Sequence, residues 1–173
     1  MKKFILVIFL SLFVLGLSKG VEKMKVYSYS FKEGDFIPTQ YTCDGLDISP
    51  HISWSKVENA KSYAIIMDDP DAPIGTFTHW IVYDIPSNVL ELKENFPKKS
   101  VVGNIKQGQN DFGKIGYGGP CPPRGKPHRY FFKVFALDVE SLGLPAELSR
   151  EEVERYINKH TISYGFTYGL YKR

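Results

Sequence analysis

The chain has 173 residues, enough for one domain with a sizeable core. It carries 22 Lys and Arg against 19 Asp and Glu, a formal net charge of +3, and Lys2, Lys3 and Lys19 supply that excess with no acid in residues 1–20. Residues 21–173 are therefore formally neutral, which removes the electrostatic footprint of a nucleic-acid binder and of bulk-charge attachment to acidic membranes.

Residues 1–20 are unlike the rest. Lys2 and Lys3 precede Phe4–Leu17, a run that is apolar apart from Ser11 and Gly16, and small residues follow at Ser18 and Gly20. This is the layout of a secretory signal peptide, and the run is short for a membrane span. Ser18-Lys19-Gly20 is a weak cleavage site, so retention as an uncleaved anchor stays open. The expectation is an exported protein, secreted, periplasmic or at the cell surface. Membrane contact is expected only through an uncleaved leader or through lipid head groups. Residues 21–173 read as a single domain.

Met24–Phe31 alternates Tyr27, Tyr29 and Phe31 against Val26, Ser28 and Ser30, a strand period. Phe36–Tyr41 reads as extended, with Pro38 arguing for an edge. Ile48–Val57 alternates around Ile52 and Trp54. Ser62–Met67 is a continuous apolar strand, broken by the acidic, Pro-rich stretch Asp68–Pro73. Thr78–Ile85 is a further strand that stops at Pro86. Val89–Leu92 is a short apolar piece, and Val101–Asp111 reads as a polar loop.

Gly116–Ala136, GYGGPCPPRGKPHRYFFKVFA, joins two opposites. Its first half is too rich in Gly and Pro for regular structure. Its second half opens Arg129–Leu137, an unbroken apolar run suited to a buried strand. Ser149 and Glu152 form a capping box, and Val153, Tyr156, Ile157 and His160 follow on one helical face. Thr161–Tyr171 reads as a last strand. The sum is a mostly β domain, an antiparallel sandwich with one amphipathic helix near the C-terminus.

Four polar groups stand at strand ends: Asp69 and Asp71, His79, and His128. Such side chains can converge on one rim of a sheet. If Asp69 accepts from a His ring, the pair favours imidazolium. An imidazolium beside Gly-loop amides is a receptor for phosphate or carboxylate, with affinity weakening as pH rises. Tyr130 or Tyr117 adds a neutral donor. Each group also has a plain structural reading, since Asp-Pro-Asp initiates turns and a His beside Trp80 can simply pack. Catalysis is not expected. There is no G-x-S-x-G, Cys121 has no cue for a depressed pKa, and the His and Asp spacings fit no zinc pattern. No metal and no cofactor are called for. Cys43 and Cys121 lie in turn-rich YTCDG and GPCPP, where a disulfide would staple two loops; two free thiols are the alternative.

Three pieces, DPDAP at Asp69–Pro73, HW at His79–Trp80 and YGGPCPPRGKPHRYFFKVFAL at Tyr117–Leu137, combine with YTCDGLDISPHISW at Tyr41–Trp54. Together they resemble the phosphatidylethanolamine-binding (Raf kinase inhibitor-like) family, above all its bacterial and archaeal branch. The resemblance implies a β-sandwich with a small anion pocket lined by Asp69, His79, His128 and Tyr130. Pro73 would shape the wall, through a cis Ala72–Pro73 bond, and Asp71, Gly118 and Pro120 would belong to the pocket loops. It implies ligands such as phosphoryl head groups, small carboxylates and phosphorylated side chains. Animal members carry a further helix after the last strand, so a chain stopping at Arg173 is expected to have a more open pocket. A serine protease is the alternative partner, met through the Gly113–Pro127 segment.

Overall fold

The computed structural model describes residues 24–173, and the leader read in residues 1–20 lies outside them. The strands are β1 (Val26–Tyr27), β2 (Ile52–Trp54), β3 (Ser62–Asp69), β4 (Phe77–Pro86), β5 (Glu91–Leu92), β6 (Val101–Val102), β7 (Ile105–Gln107), β8 (His128–Leu137) and β9 (Thr161–Tyr171). One helix, α1 (Arg150–His160), precedes β9. Two antiparallel sheets form, one ordered β1-β2-β5 and the other β6-β7-β4-β3-β8-β9.

The central strand β3 is buried at every position, which is why its sequence is a continuous apolar run rather than an alternation. Tyr63, Ile65 and Met67 join Trp80, Val82, Phe132 and Val134 in the core shared with Ile52, Trp54 and Leu92 of the small sheet. Ala64 and Ile66 lie on the opposite face, with Ile81, Tyr83 and the helical Val153 and Ile157. The large sheet is thus covered on one side by the small sheet and on the other by α1.

Helix α1 begins where the capping box reads. The Ser149 N–H donates to the Glu152 carboxylate at 3.0 Å, and these bonds to Ser149 hold the Glu152 carboxyl below its ordinary range. The buried face is narrower than the periodicity implies. Val153 and Ile157 are buried, whereas Tyr156 is 40% exposed, and His160 pairs with Asp138 at 2.9 Å instead of entering the core.

Several elements differ from their sequence reading. The Met24–Phe31 strand pairs only at Val26–Tyr27, because Ser28 and Ser30 bond the His51 backbone and turn the chain out of the sheet. Only Ile52–Trp54 of Ile48–Val57 pairs. Phe36–Tyr41 becomes a single bridge at Phe36 followed by a 3-10 turn over Thr39–Tyr41. The polar Val101–Asp111 loop contains the β6–β7 hairpin, with Gly103 at φ +61° in its turn. Its polar residue Gln107 is fully buried because its amide is saturated: Trp80 donates to it at 2.7 Å, and it donates to the Pro97 and Lys99 carbonyls.

β9 is an edge strand, and its C-terminal half is covered rather than open. Gly34 and Ile37 donate to the Tyr168 and Leu170 carbonyls, and Leu170 donates to Asp35, which removes a free hydrogen-bonding edge. Earlier on β9, a Cβ at Gly165 would lie 2.0 Å from the Met24 carbonyl oxygen, so only glycine lets the chain cross there.

Candidate functional site

The period of two along β3 sends adjacent aspartates to opposite faces. Asp68 falls on the helix side with Ile66, and Asp69 falls on the inner side with Met67. The same period in β8 puts His128, Tyr130 and Phe132 inward and Arg129 outward. His79 arrives by a different device. Met67 pairs with Trp80 but Asp68 pairs with Thr78, so His79 is the extra residue of a β-bulge. The bulge re-aims the ring inward, where it meets Tyr130 edge-on at 5.2 Å.

Asp69, His79, His128 and Tyr130 line a cavity of about 230 Å³ at one end of the large sheet. Pro73 lines it too, with Ala72 and Ile74 from the β3–β4 loop. Phe77, Phe112, Cys121, Pro122 and Pro123 complete the wall. The interior is polar on one side and apolar elsewhere.

Each oxygen of Asp69 accepts one hydrogen bond. Its Oδ2 accepts from His128 Nδ1 at 2.7 Å, and its Oδ1 accepts from the Asp71 N–H at 2.8 Å. The carboxylate therefore partners His128, not His79. His79 donates through Nδ1 to the Gly118 carbonyl at 2.7 Å. Burial pushes its pKa down, outweighing that bond and the nearby Asp69 charge, so the ring is neutral near neutral pH. The Tyr130 hydroxyl is buried and makes no hydrogen bond among the described residues. Burial first, then the Asp69 charge, pushes its phenol well above the ordinary range, although no bond of ordinary geometry joins the two.

Other residues singled out from the sequence lie behind the cavity wall. Gly118 contributes the carbonyl that orients His79, and Pro120 accepts from the Cys43 N–H at 3.1 Å. Tyr117 is buried elsewhere, its hydroxyl donating to the Tyr41 carbonyl at 2.6 Å. No cis peptide bond occurs among the described residues, so Ala72–Pro73 is trans; the loop reaches the wall without the isomer that the resemblance implies. The Gly113–Pro127 segment is not one projecting loop. Gly113 and Lys114 are exposed at its start and residues 123–127 at its end, while Gly116–Pro120 and Pro122 between them are buried. Cys43 and Cys121 are joined in a disulfide, which anchors the wall at Cys121.

Asp71 clamps the outside of the site. Its carboxylate accepts from Arg129 Nε at 2.9 Å, Arg129 NH2 at 2.7 Å and the Arg129 N–H at 3.0 Å. The Arg129 side-chain bonds hold the Asp71 carboxyl down at about 2, against an ordinary 3.8. A depressed carboxyl stabilises the fold fully above the unfolded value and loses that contribution as pH falls toward the folded one. Acid titration of the wild type should therefore show a stability loss between about pH 4 and about pH 2 that Asp71→Asn lacks. Identical acid limbs in the two proteins would show that the clamp contributes nothing.

Six lining residues, Ala72, Ile74, Phe77, Phe112, Pro122 and Pro123, are not marked by the sequence reading. Two of them left a signal. Ile74 is 86% exposed and Phe112 is 41% exposed, and both are lone apolar residues inside otherwise polar or Gly-bearing loops.

An antiparallel sandwich with a preformed, mostly apolar cavity and a few convergent polar groups at a sheet end is the build of a small-ligand binding protein. The family model for phosphatidylethanolamine-binding protein matches residues 27–172. A UPF0098 protein of Aquifex aeolicus is 63% identical over 158 residues, covering 90% of this chain and 92% of that one. A UPF0098 protein of Pyrococcus horikoshii is 48% identical over 182 residues, covering 100% and 91%. The crystal structure of Escherichia coli YbcL, described as a new member of the mammalian PEBP family, superposes with a TM-score of 0.81 at 34% identity, over 87% of this chain and 99% of YbcL. This chain belongs to the phosphatidylethanolamine-binding protein family.

Proposed function

We propose that this chain is an exported, non-catalytic binding protein that takes a small phosphorylated or carboxylated ligand in the cavity at the end of the large sheet. The observation that carries this reading is the Tyr130 hydroxyl, buried and unpartnered among the described residues on the cavity wall. A buried polar group left without its partner costs about 1–3 kcal/mol. Its retention beside a cavity fits an acceptor that arrives with the ligand. His128, held through Nδ1 by Asp69, leaves its Nε2 as a second polar atom at the site.

The leader-like residues 1–20 and the disulfide, a bond of oxidising compartments, support export. Among the lining residues no Ser or Thr occurs and Cys121 is tied up in the disulfide, so the wall offers no hydroxyl or thiol nucleophile of the Ser, Thr or Cys type. The test is calorimetric titration of inorganic phosphate into the wild type and His128→Ala. A charge-assisted bond contributes about 1.5–3 kcal/mol, so the variant should bind roughly tenfold to a hundredfold more weakly. Equal affinity in the two proteins rejects this cavity.

A further inference from the structure

The sequence reads Tyr27, Tyr29 and Phe31 as one aromatic face, and the structure divides them. Phe31 is buried in the core, whereas Tyr27 is 44% exposed and Tyr29 is 78% exposed. In the small sheet Ile52 and Leu92 face the core. Alternation therefore turns Tyr27, Ser53 and Glu91 outward, and the register sets them side by side across the three strands. Beyond Tyr27 the chain leaves the sheet along a fixed path. The Ser28 hydroxyl donates to the His51 carbonyl, the His51 N–H donates to the Ser30 hydroxyl at 3.0 Å, and the Tyr29 N–H donates to His51 Nδ1 at 3.2 Å.

These bonds hold a protruding ring in one place. Tyr29 stacks on the His51 imidazole with centroids 4.6 Å apart and planes 27° apart, and Tyr27 stands across from it at 5.6 Å and 73°. The two phenol rings form a corner open to water. Glu91 supplies a charge beside it. With Nδ1 accepting, the His51 proton sits on Nε2 and is donated to Glu91 Oε2 at 3.0 Å. The Glu91 side chain stays 47% exposed, and a carboxylate keeps acceptor capacity beyond one bond. Tyr27 chiefly, and the Glu91 charge to a smaller degree, raise the Tyr29 phenol above its ordinary value, so the carboxylate is felt at the ring. Lys25 and Lys93, two residues along from Tyr27 and Glu91, are exposed, and their flexible stems let the ammonium groups move away from an incoming cation.

Two π faces and a carboxylate together favour a cation. A guanidinium uses both at once, because its flat face stacks on a ring while its N–H edge donates to a carboxylate. We infer that this corner on the outer face of the small sheet is a docking point for an arginine side chain of a partner protein. It is separate from the cavity and does not rest on the anion-binding reading, since none of Tyr27, Tyr29, His51 and Glu91 lines that cavity. Tyr29 supplies the stacking face, Tyr27 the second wall and Glu91 the charge. His51 is a positioning residue that holds both the Tyr29 ring and the Glu91 carboxylate.

The experiment is an NMR titration of the protein with N-acetyl-arginine amide, compared with N-acetyl-lysine amide, tetramethylammonium and methyl glucoside. The arginine amide should shift the Tyr27, Tyr29 and His51 ring signals saturably and bind more tightly than the other three. Tyr29→Leu keeps the backbone N–H that His51 accepts and removes the stacking face. It should bind the arginine amide about twofold to fivefold more weakly, the share of one exposed cation–π contact. Glu91→Gln keeps an acceptor for His51 Nε2 and removes the charge, and it should weaken binding by about the same factor. A melting curve for each variant confirms folding. No saturable shift of these rings, or binding that both folded variants retain undiminished, overturns the inference. Lysine amide or tetramethylammonium binding as tightly as the arginine amide overturns the choice of a guanidinium. Tighter binding of methyl glucoside overturns the cation reading and makes the corner a sugar platform.

Discussion

Replacing Cys43 and Cys121 together by Ser should lower stability by about 4 kcal/mol, with the native fold kept. The bond closes a loop between cysteines 78 positions apart, and chain-entropy bookkeeping for a loop of that length gives about 4.5 kcal/mol. The effect lies mainly in the unfolded chain, because other contacts hold the same loops when the bond is gone. Cys43 N–H donates to the Pro120 carbonyl at 3.1 Å. Gly119 N–H donates to Asp47 at 2.7 Å, and the Tyr171 hydroxyl donates to Asp44 at 2.7 Å. At about 2–4 °C per kcal/mol for a domain of this size, Tm should fall by roughly 10 °C. Circular dichroism should be unchanged below the transition. A Tm shift of less than about 2 °C would refute the stabilising role assigned to the bond.

The second large effect is expected at Asp68, on the helix side of the large sheet. Asp68 is fully buried. Its Oδ2 accepts from Lys133 Nζ at 2.7 Å and from Arg150 NH1 at 2.8 Å, while Oδ1 is buried without a partner. One carboxylate thus ties α1 to β8. Asp68→Ala leaves two cations over an apolar surface, and breaking such a pair costs about 3–5 kcal/mol. The lower end applies here. The Lys133 and Arg150 side chains are 31% and 22% exposed, so they can recover some water, and Arg150 keeps Glu154. Urea denaturation should show a loss of about 3 kcal/mol. Replacing Asp68, Lys133 and Arg150 together by apolar residues should restore most of it, because the desolvation cost then disappears with the charges. A loss below about 1 kcal/mol in Asp68→Ala would overturn the anchoring role. Asp68 and Asp69 face opposite ways, so phosphate affinity provides a control that a general loss of structure would not spare.

Strand content was legible where one residue type had one environment. Ser62–Met67 and Arg129–Leu137 read as strands because apolar side chains meet apolar neighbours on every inward position. The capping box also read correctly, since its partners lie three residues apart. The short strands of the small sheet are shorter than their alternation implies. Their alternation continues past the point where Ser28 and Ser30 turn to bond His51. The β6–β7 hairpin was missed because Gln107 looks like a loop residue until Trp80, Pro97 and Lys99 satisfy its amide.

The sequence by itself determined the strand-end chemistry: Asp69, His79, His128 and Tyr130 each stand at the edge of an apolar run. Local periodicity carries that information, because side-chain direction in a strand repeats every two residues. Only the tertiary structure decided which of these groups are partners. The bulge that turns His79 inward depends on the register of β3 against β4. The choice of His128 as the partner of Asp69 depends on β8 lying beside β3. The cavity wall brings Phe77 and Phe112 together across 35 positions of sequence. Such contacts leave no periodic trace in the chain, because they are set by which strands lie side by side and not by spacing along one of them.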